Sequence, residues 1–188
     1  MEIVEGRLPG VRIIRMRPIG DARGFFMRTF DERLFHAAGI TGPWVQENHS
    51  RNLTRHTVRG LHFQRPPHGE TKLVRCVRGA IFDVFVDLRA GSPTFGHWES
   101  IVLSEDEPTM VLVPKGFAHG YATLTDRTDV LYKVDHPYHP ESEGGLFWND
   151  PAVGITWPRM EAPVISPKDA AQPDLAAFRK QWGDLGAH

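Results

Sequence analysis

Eighteen glycines and fifteen prolines interrupt this chain of 188 residues so often that no long regular helix fits between them. The intervening runs are short and rich in Val, Ile, Phe and Tyr, the pattern of an all-β sandwich or barrel. Candidate strands lie at 11–16, 24–30, 44–49, 57–63, 72–78, 80–88, 98–103, 109–113, 117–123 and 130–134. Segments 72–78 and 80–88 flank Gly79 and read as two antiparallel strands turning at Arg78-Gly79. Helix signals are sparse. Asp31 can cap a short helix that Gly39 stops, with Leu34 and Phe35 as its buried side. Near the end, Pro173 at a first-turn position opens a segment with Leu175, Phe178 and Trp182 on one face, and Gly183 closes it. Residues 158–172 are Pro-rich and irregular, a strap over the body. The expectation is one β-rich domain over 1–188.

Charge narrows the partners. Twenty-two basic and 23 acidic residues give a net charge of −1, without the basic excess that nucleic acid or an anionic membrane would select. No apolar run approaches the ~20 residues of a bilayer span. The first ten residues, MEIVEGRLPG, start with acids and lack a signal-peptide core, so a cytoplasmic location is expected. The single cysteine, Cys76, leaves no internal disulfide and no Cys-rich metal site.

Several polar residues fall on apolar strand faces. Lys72 shares parity with Val74 and Cys76, and Arg75 shares it with Leu73 and Val77. One basic side chain therefore points inward and needs a carboxylate, ligand or water, or else Lys72 reaches solvent from the strand end. His119 shares a face with Phe117 and Tyr121, Tyr132 lies between Val130 and Val134, and His62 follows Val58 and Gly60 at even spacing. Each reads singly as a hydrogen-bonded core residue. Together, an interior lysine, two histidines and a tyrosine on strands suit proton transfer better than hydride or phosphoryl transfer.

Other chemistries compete less well. Histidines on barrel strands can hold a metal, but there is no His-x-His, and His62 and His119 have no obvious third ligand. No Gly-x-Ser-x-Gly elbow is present, and Cys76 sits in mid-strand, where burial is the usual fate.

A set of motifs then carries a resemblance: Asp21-Ala-Arg-Gly-Phe-Phe26, Gln46-Glu-Asn-His-Ser50, Arg59-Gly-Leu-His-Phe63, Lys72-Leu-Val-Arg75, Phe82-Asp-Val-Phe-Val-Asp87, Gly91-Ser-Pro-Thr-Phe-Gly96, Pro114-Lys-Gly-Phe-Ala-His-Gly120, Leu131-Tyr-Lys133, Trp148-Asn-Asp-Pro151 and Ser166-Pro-Lys-Asp169. In this order, from about residue 8 to 172, the chain resembles the dTDP-4-dehydrorhamnose 3,5-epimerase family of sugar-nucleotide epimerases. The resemblance implies a cupin-type jelly roll and a homodimer, usually with N-terminal strands exchanged. It implies His62 as general base, Asp169 as the carboxylate orienting it, Tyr132 as proton donor from the opposite side of the sugar, and Lys72 near the keto oxygen. Arg23 and Arg59 resemble the arginines that hold the diphosphate, and Phe26, Gln46, Asn48, His119 and Tyr138 match positions lining the substrate groove.

The implied substrate is a nucleoside-diphosphate 4-keto-6-deoxyhexose, with dTDP-4-dehydro-6-deoxy-D-glucose the first choice. Its C3 and C5 hydrogens are acidic because the carbonyl accepts the charge as an enolate, and no metal, nucleotide cofactor or redox step is required. Alternatives stay open: inversion at C3 or C5 alone, a GDP- or CDP-linked sugar, a metal-dependent cupin, or a carbohydrate-binding module. Many members carry a glutamate two residues after Phe26, whereas this chain has Arg28, which either meets the nucleotide or faces solvent. Arg59 and His62 also have opposite parity, so a shared site requires a bulge or twist at Gly60.

Overall fold

The computed structural model describes residues 1–186. Its strands are β1 (Glu2–Glu5), β2 (Arg12–Arg15), β3 (Ile19–Asp21), β4 (Gly24–Phe26), β5 (Gln46–Asn52), β6 (Val58–Gln64), β7 (Lys72–Arg78), β8 (Ala80–Asp87), β9 (Trp98–Ser104), β10 (Thr109–Val113), β11 (Phe117–Thr123), β12 (Thr128–Val134) and β13 (Glu143–Gly145). The helices are α1 (Glu32–Ala37), α2 (Pro167–Ala170) and α3 (Leu175–Trp182). Two antiparallel sheets form, one in the order β1-β2-β10-β7-β12-β5 and the other β13-β6-β11-β8-β9, while β3 and β4 make a separate hairpin. This is the all-β, jelly-roll-type sandwich expected.

Alternation builds the layers. Val74 and Cys76 of β7, Val111 of β10 and Val130 of β12 meet Ile81, Phe85, Phe117 and Tyr121 of the other sheet in one buried cluster. The opposite face of the six-stranded sheet presents Leu73, Met110, Leu112 and Ile14, which pack with Phe35 of α1. The opposite face of the five-stranded sheet presents Leu61, Phe63, Val84 and Val86, covered by Phe178 of α3. Each sheet is thus apolar on both faces, as a sheet covered on both sides requires.

Four expectations need correction. Lys72–Arg78 and Ala80–Asp87 are not a hairpin: β7 pairs with β10 and β12, and β8 with β9 and β11. A single connecting residue, Gly79 at φ 72°, turns the chain from one sheet into the other. Two flanking strands apolar on both faces look alike whether they pair or face each other. In α1, capped by Asp31 as expected, Phe35 is buried but Leu34 is 45% exposed, since a helix of this length buries only a narrow stripe. In α3 the cap is Asp174, so Pro173 precedes the helix rather than opening its first turn. The strand expected at 24–30 stops at Phe26. Within the expected strap lie a bridge from Val164 to Thr57 and the short α2, capped by Ser166.

The bulge at Gly60 is present. On β6 and β11, His62 faces His119 and Arg59 faces Tyr121, so Gly60 and Leu61 together oppose Gly120. Gly60 has φ 119°, and a Cβ there would lie 2.7 Å from the Gly120 Cα and 2.8 Å from the His119 carbonyl oxygen. Gly60→Ala is therefore expected to lose ~3 kcal/mol or more of stability, read by urea unfolding, because the obstacle is backbone and cannot rotate away.

Candidate active site

The bulge decides what faces the gap between the sheets. It turns Arg59 and His62 to the same side despite their opposite parity, and both line a cleft of about 470 Å³ with Lys72, His119 and Tyr132. A contiguous space of about 260 Å³ adds Gln46, Glu70, Tyr138 and Glu143. The walls have different parentage. His62, His119, Arg59 and Glu143 come from the five-stranded sheet, whereas Lys72, Tyr132, Gln46 and Asn48 come from the six-stranded one.

On the first wall, His62 Nε2 lies 2.7 Å from Asp169 Oδ1, leaving Nδ1 as the free ring nitrogen. The other oxygen of Asp169 accepts the Gly60 N–H at 3.1 Å. The bulge thus also supplies the donor that holds this carboxylate. Asp169 lies on α2, where its own N–H donates to the capping Ser166 hydroxyl. Burial pushes its pKa up, but the hydrogen bond and charge of His62, with the Gly60 and Ser166 contacts, outweigh burial and hold it below the usual carboxylate range. Asp169 consequently remains ionised wherever an imidazole titrates.

Directly across the strand pair, His119 Nε2 meets Asp83 Oδ1 at 2.9 Å. Asp83 is fully buried, and among the described residues its Oδ2 has no hydrogen-bond partner. Burial raises its pKa, against the opposing pull of His119 and Lys72. His62 and His119 are thus each tied to a carboxylate of their own. Among the described residues no group of three or more His, Cys, Asp or Glu side chains is arranged to hold a metal ion. Burial likewise pushes the Cys76 thiol up to about 12, which leaves it a poor nucleophile.

On the second wall, Lys72 points inward at 8% exposure and pairs with Glu70 at 3.1 Å. Tyr132 sits between Asn48 on β5 and Val74 on β7, half-buried beside the core. Burial first, then the negative charges of Glu70 and Glu143, raise its pKa, so the phenol keeps its proton. Gln46 donates to Asn48 Oδ1 at 3.0 Å and accepts the Tyr138 N–H at 3.3 Å. The Tyr138 hydroxyl donates to Glu143 at 2.7 Å, and the other oxygen of Glu143 holds Lys168 at 2.7 Å. At the open end Arg59, steadied by Asn52 Oδ1 at 2.7 Å, supplies a cation.

Two expected residues are elsewhere. Arg23 lies on the β3–β4 turn, paired with Asp21 and almost fully exposed, and Phe26 is 67% exposed on the same hairpin. Neither lines the cleft of its own chain. Arg28 faces solvent and pairs with Asp31 at 3.3 Å. Sequence reading missed Glu70, Asp83, Glu143 and Lys168. Asp83 was readable, because it alternates with the apolar Ile81 and Phe85. Glu70 lies in a loop, Glu143 opens the three-residue β13 and Lys168 sits in the single turn of α2, all too short for a periodicity to report direction.

Known proteins are similar to this chain in sequence and fold. A curated dTDP-4-dehydrorhamnose 3,5-epimerase from Sinorhizobium fredii is 50% identical over 165 residues, 88% of this chain and 85% of that protein. The crystal structure of dTDP-6-deoxy-D-glucose-3,5-epimerase from Legionella pneumophila, in complex with dTDP-4-keto-L-rhamnose, superposes with a TM-score of 0.93 at 39% identity, covering 100% of this chain and 98% of that one. The 3'-monoepimerase ChmJ from Streptomyces bikiniensis, in complex with dTDP-quinovose, gives 0.89 at 33% identity over 96% and 91% of the two chains. The family model described as dTDP-4-dehydrorhamnose 3,5-epimerase matches residues 5–177, and with the fold and the cleft these similarities make the chain a member of that family of sugar-nucleotide isomerases.

Proposed function

We propose that the protein epimerises dTDP-4-dehydro-6-deoxy-D-glucose at C3 and C5 to dTDP-4-dehydro-L-rhamnose. The observation that carries this reading is the opposition of two walls: the His62–Asp169 pair on one sheet faces Lys72 and Tyr132 on the other. A sugar ring held between them presents one face to each. His62 Nδ1 takes the proton α to the ketone, and Asp169 stabilises the imidazolium through Nε2–H. The electron pair moves onto the C4 oxygen, where the Lys72 ammonium meets the enolate charge; losing such a donor typically costs ~2.7–4 kcal/mol. Tyr132 then delivers its phenolic proton to the opposite face, inverting the centre. The phenolate is reprotonated and His62 releases its proton before the second centre reacts.

His119, Gln46, Asn48 and Tyr138 would contact the sugar and Arg59 the diphosphate. Heavy water tests the reading: incubation with the dTDP-linked 4-keto sugar is expected to place one deuteron at C3 and one at C5, read by mass and NMR. A single deuteron names a one-centre epimerase, the activity for which the similar ChmJ is named. Uptake only from GDP- or CDP-linked sugars would reassign the base.

A homodimer completes the proposal. The hairpin of β3 and β4 exposes Ile19, Phe25 and Phe26 at 71%, 69% and 67%, a cluster of large apolar side chains suited to cover by a second copy. In that arrangement Arg23 and Phe26 would serve the partner's cleft. Light scattering should give twice the 21.2 kDa chain mass. Phe25→Ser with Phe26→Ser should shift the protein toward monomer and raise KM.

A further inference from the structure

We infer that Glu70 is a positioning residue that holds Lys72 on the keto oxygen, acting with Gln64 as its anchor; this rests on the function proposed above. Lys72 and Glu70 pair at 3.1 Å with side chains only 10% and 12% exposed. An ammonium so enclosed has little water to solvate it, so the carboxylate sets both its charge balance and its position. Glu70 is itself fixed. Its second oxygen accepts from Gln64 Nε2 at 3.2 Å.

Gln64 has no freedom to move away. Its Nε2 also reaches the carbonyl oxygens of His68 and Pro137 at 3.0 and 3.2 Å, and its Oε1 accepts the His139 N–H at 2.5 Å. It stands on β6 two residues beyond His62, the proposed base. One short strand segment therefore anchors the base directly and the enolate-binding lysine through Glu70. This rigidity matters because a donor to developing charge acts only if it is in place before the reaction.

The charged and titratable groups around the pair are His62 and Arg59 from β6, Asp83 from β8, His119 from β11, Tyr132 from β12, Glu143 from β13 and Tyr138 from the loop before it. Glu70 contributes negative charge to Tyr132 as well as to Lys72. Removing that charge makes the Tyr132 phenol release its proton at lower pH. The alkaline limb of the rate profile must then move down.

The experiment compares deuterium exchange from the dTDP-linked 4-keto sugar, as kcat and KM across pH, for the wild-type protein, Glu70→Gln and Glu70→Asp. Glu70→Gln is expected to lower kcat about 10–100-fold with KM little changed, less than the ~10²–10³ lost when a donor itself is removed. Its alkaline limb should move to lower pH. Glu70→Asp keeps the charge on a shorter stem and should give an intermediate kcat with the limb in its wild-type position. Wild-type kcat and limb in Glu70→Gln overturn the inference, as does a lower melting temperature with the limb unmoved, which is a structural role alone. Should Glu70→Gln not fold, Glu70→Asp decides: an intermediate kcat supports positioning and a wild-type kcat overturns it. A wild-type protein that exchanges no deuteron from any nucleotide-linked 4-keto sugar overturns the proposed function and this inference together. Exchange by the wild type with an unaffected Glu70→Gln overturns this inference alone.

Discussion

His62→Ala is expected to abolish deuterium uptake at C3 and C5 together, with exchange falling about 10²–10⁴-fold, the usual contribution of a positioned general base. The loss should be common to both centres, because His62 is the one imidazole in the cleft whose partner, Asp169, is itself held by the backbone of the same bulge. Asp169→Asn tests the pair separately. An amide can accept from or donate to the ring, so the tautomer is no longer dictated and the imidazolium loses its counter-charge. A loss of similar order is expected, with binding of dTDP largely intact. Near-wild-type exchange in His62→Ala would move the base to His119, which the structure places directly opposite on the neighbouring strand. The double variant would then be the next measurement.

Tyr132→Phe should separate the two halves of the reaction. Deuterium uptake continues, because the base is untouched, whereas net inversion falls by about 10²-fold or more for want of a proton on the opposite face. The fold should tolerate the change. The Tyr132 ring packs against the core between the sheets, and phenylalanine preserves that contact. The partition is the diagnostic: uptake at the original configuration rising relative to epimerised product. If uptake and inversion fall in equal measure, Tyr132 orients substrate and does not supply the proton.

The two tests depend on a division that strand patterns express only in part. Alternation made the inward direction of His119 and Tyr132 legible, and it posed the question of Lys72. It also exposed the conflict between Arg59 and His62, which the bulge at Gly60 resolves. The motifs carried the family, and with it the pairing of His62 with Asp169 across more than a hundred residues. Parity alone could not have found that contact, since Asp169 sits on a single helical turn within an irregular segment. Glu70 and Glu143 escaped for a related reason: Glu70 lies outside any strand and Glu143 opens a strand of three residues, too short for a period to report where a side chain points.

What the sequence by itself determined is the local grammar: short strands from apolar runs between turn residues, the Asp31 cap, and the glycine that lets β6 bulge. It also determined which residue types are available for proton transfer. Only the tertiary structure decided which strands are neighbours. The pattern around Gly79 reads as a hairpin turn, yet Gly79 is the corner where the chain passes from one sheet to the other. The physical reason is that a strand buried on both faces reads the same to its neighbours in a sheet as to the sheet packed across from it. That choice places Lys72 and Tyr132 opposite His62, and so sets the two walls on which the proposed deprotonation from one side and reprotonation from the other depend. The same packing left Arg23 and Phe26 outside their own cleft, because their hairpin belongs to neither sheet.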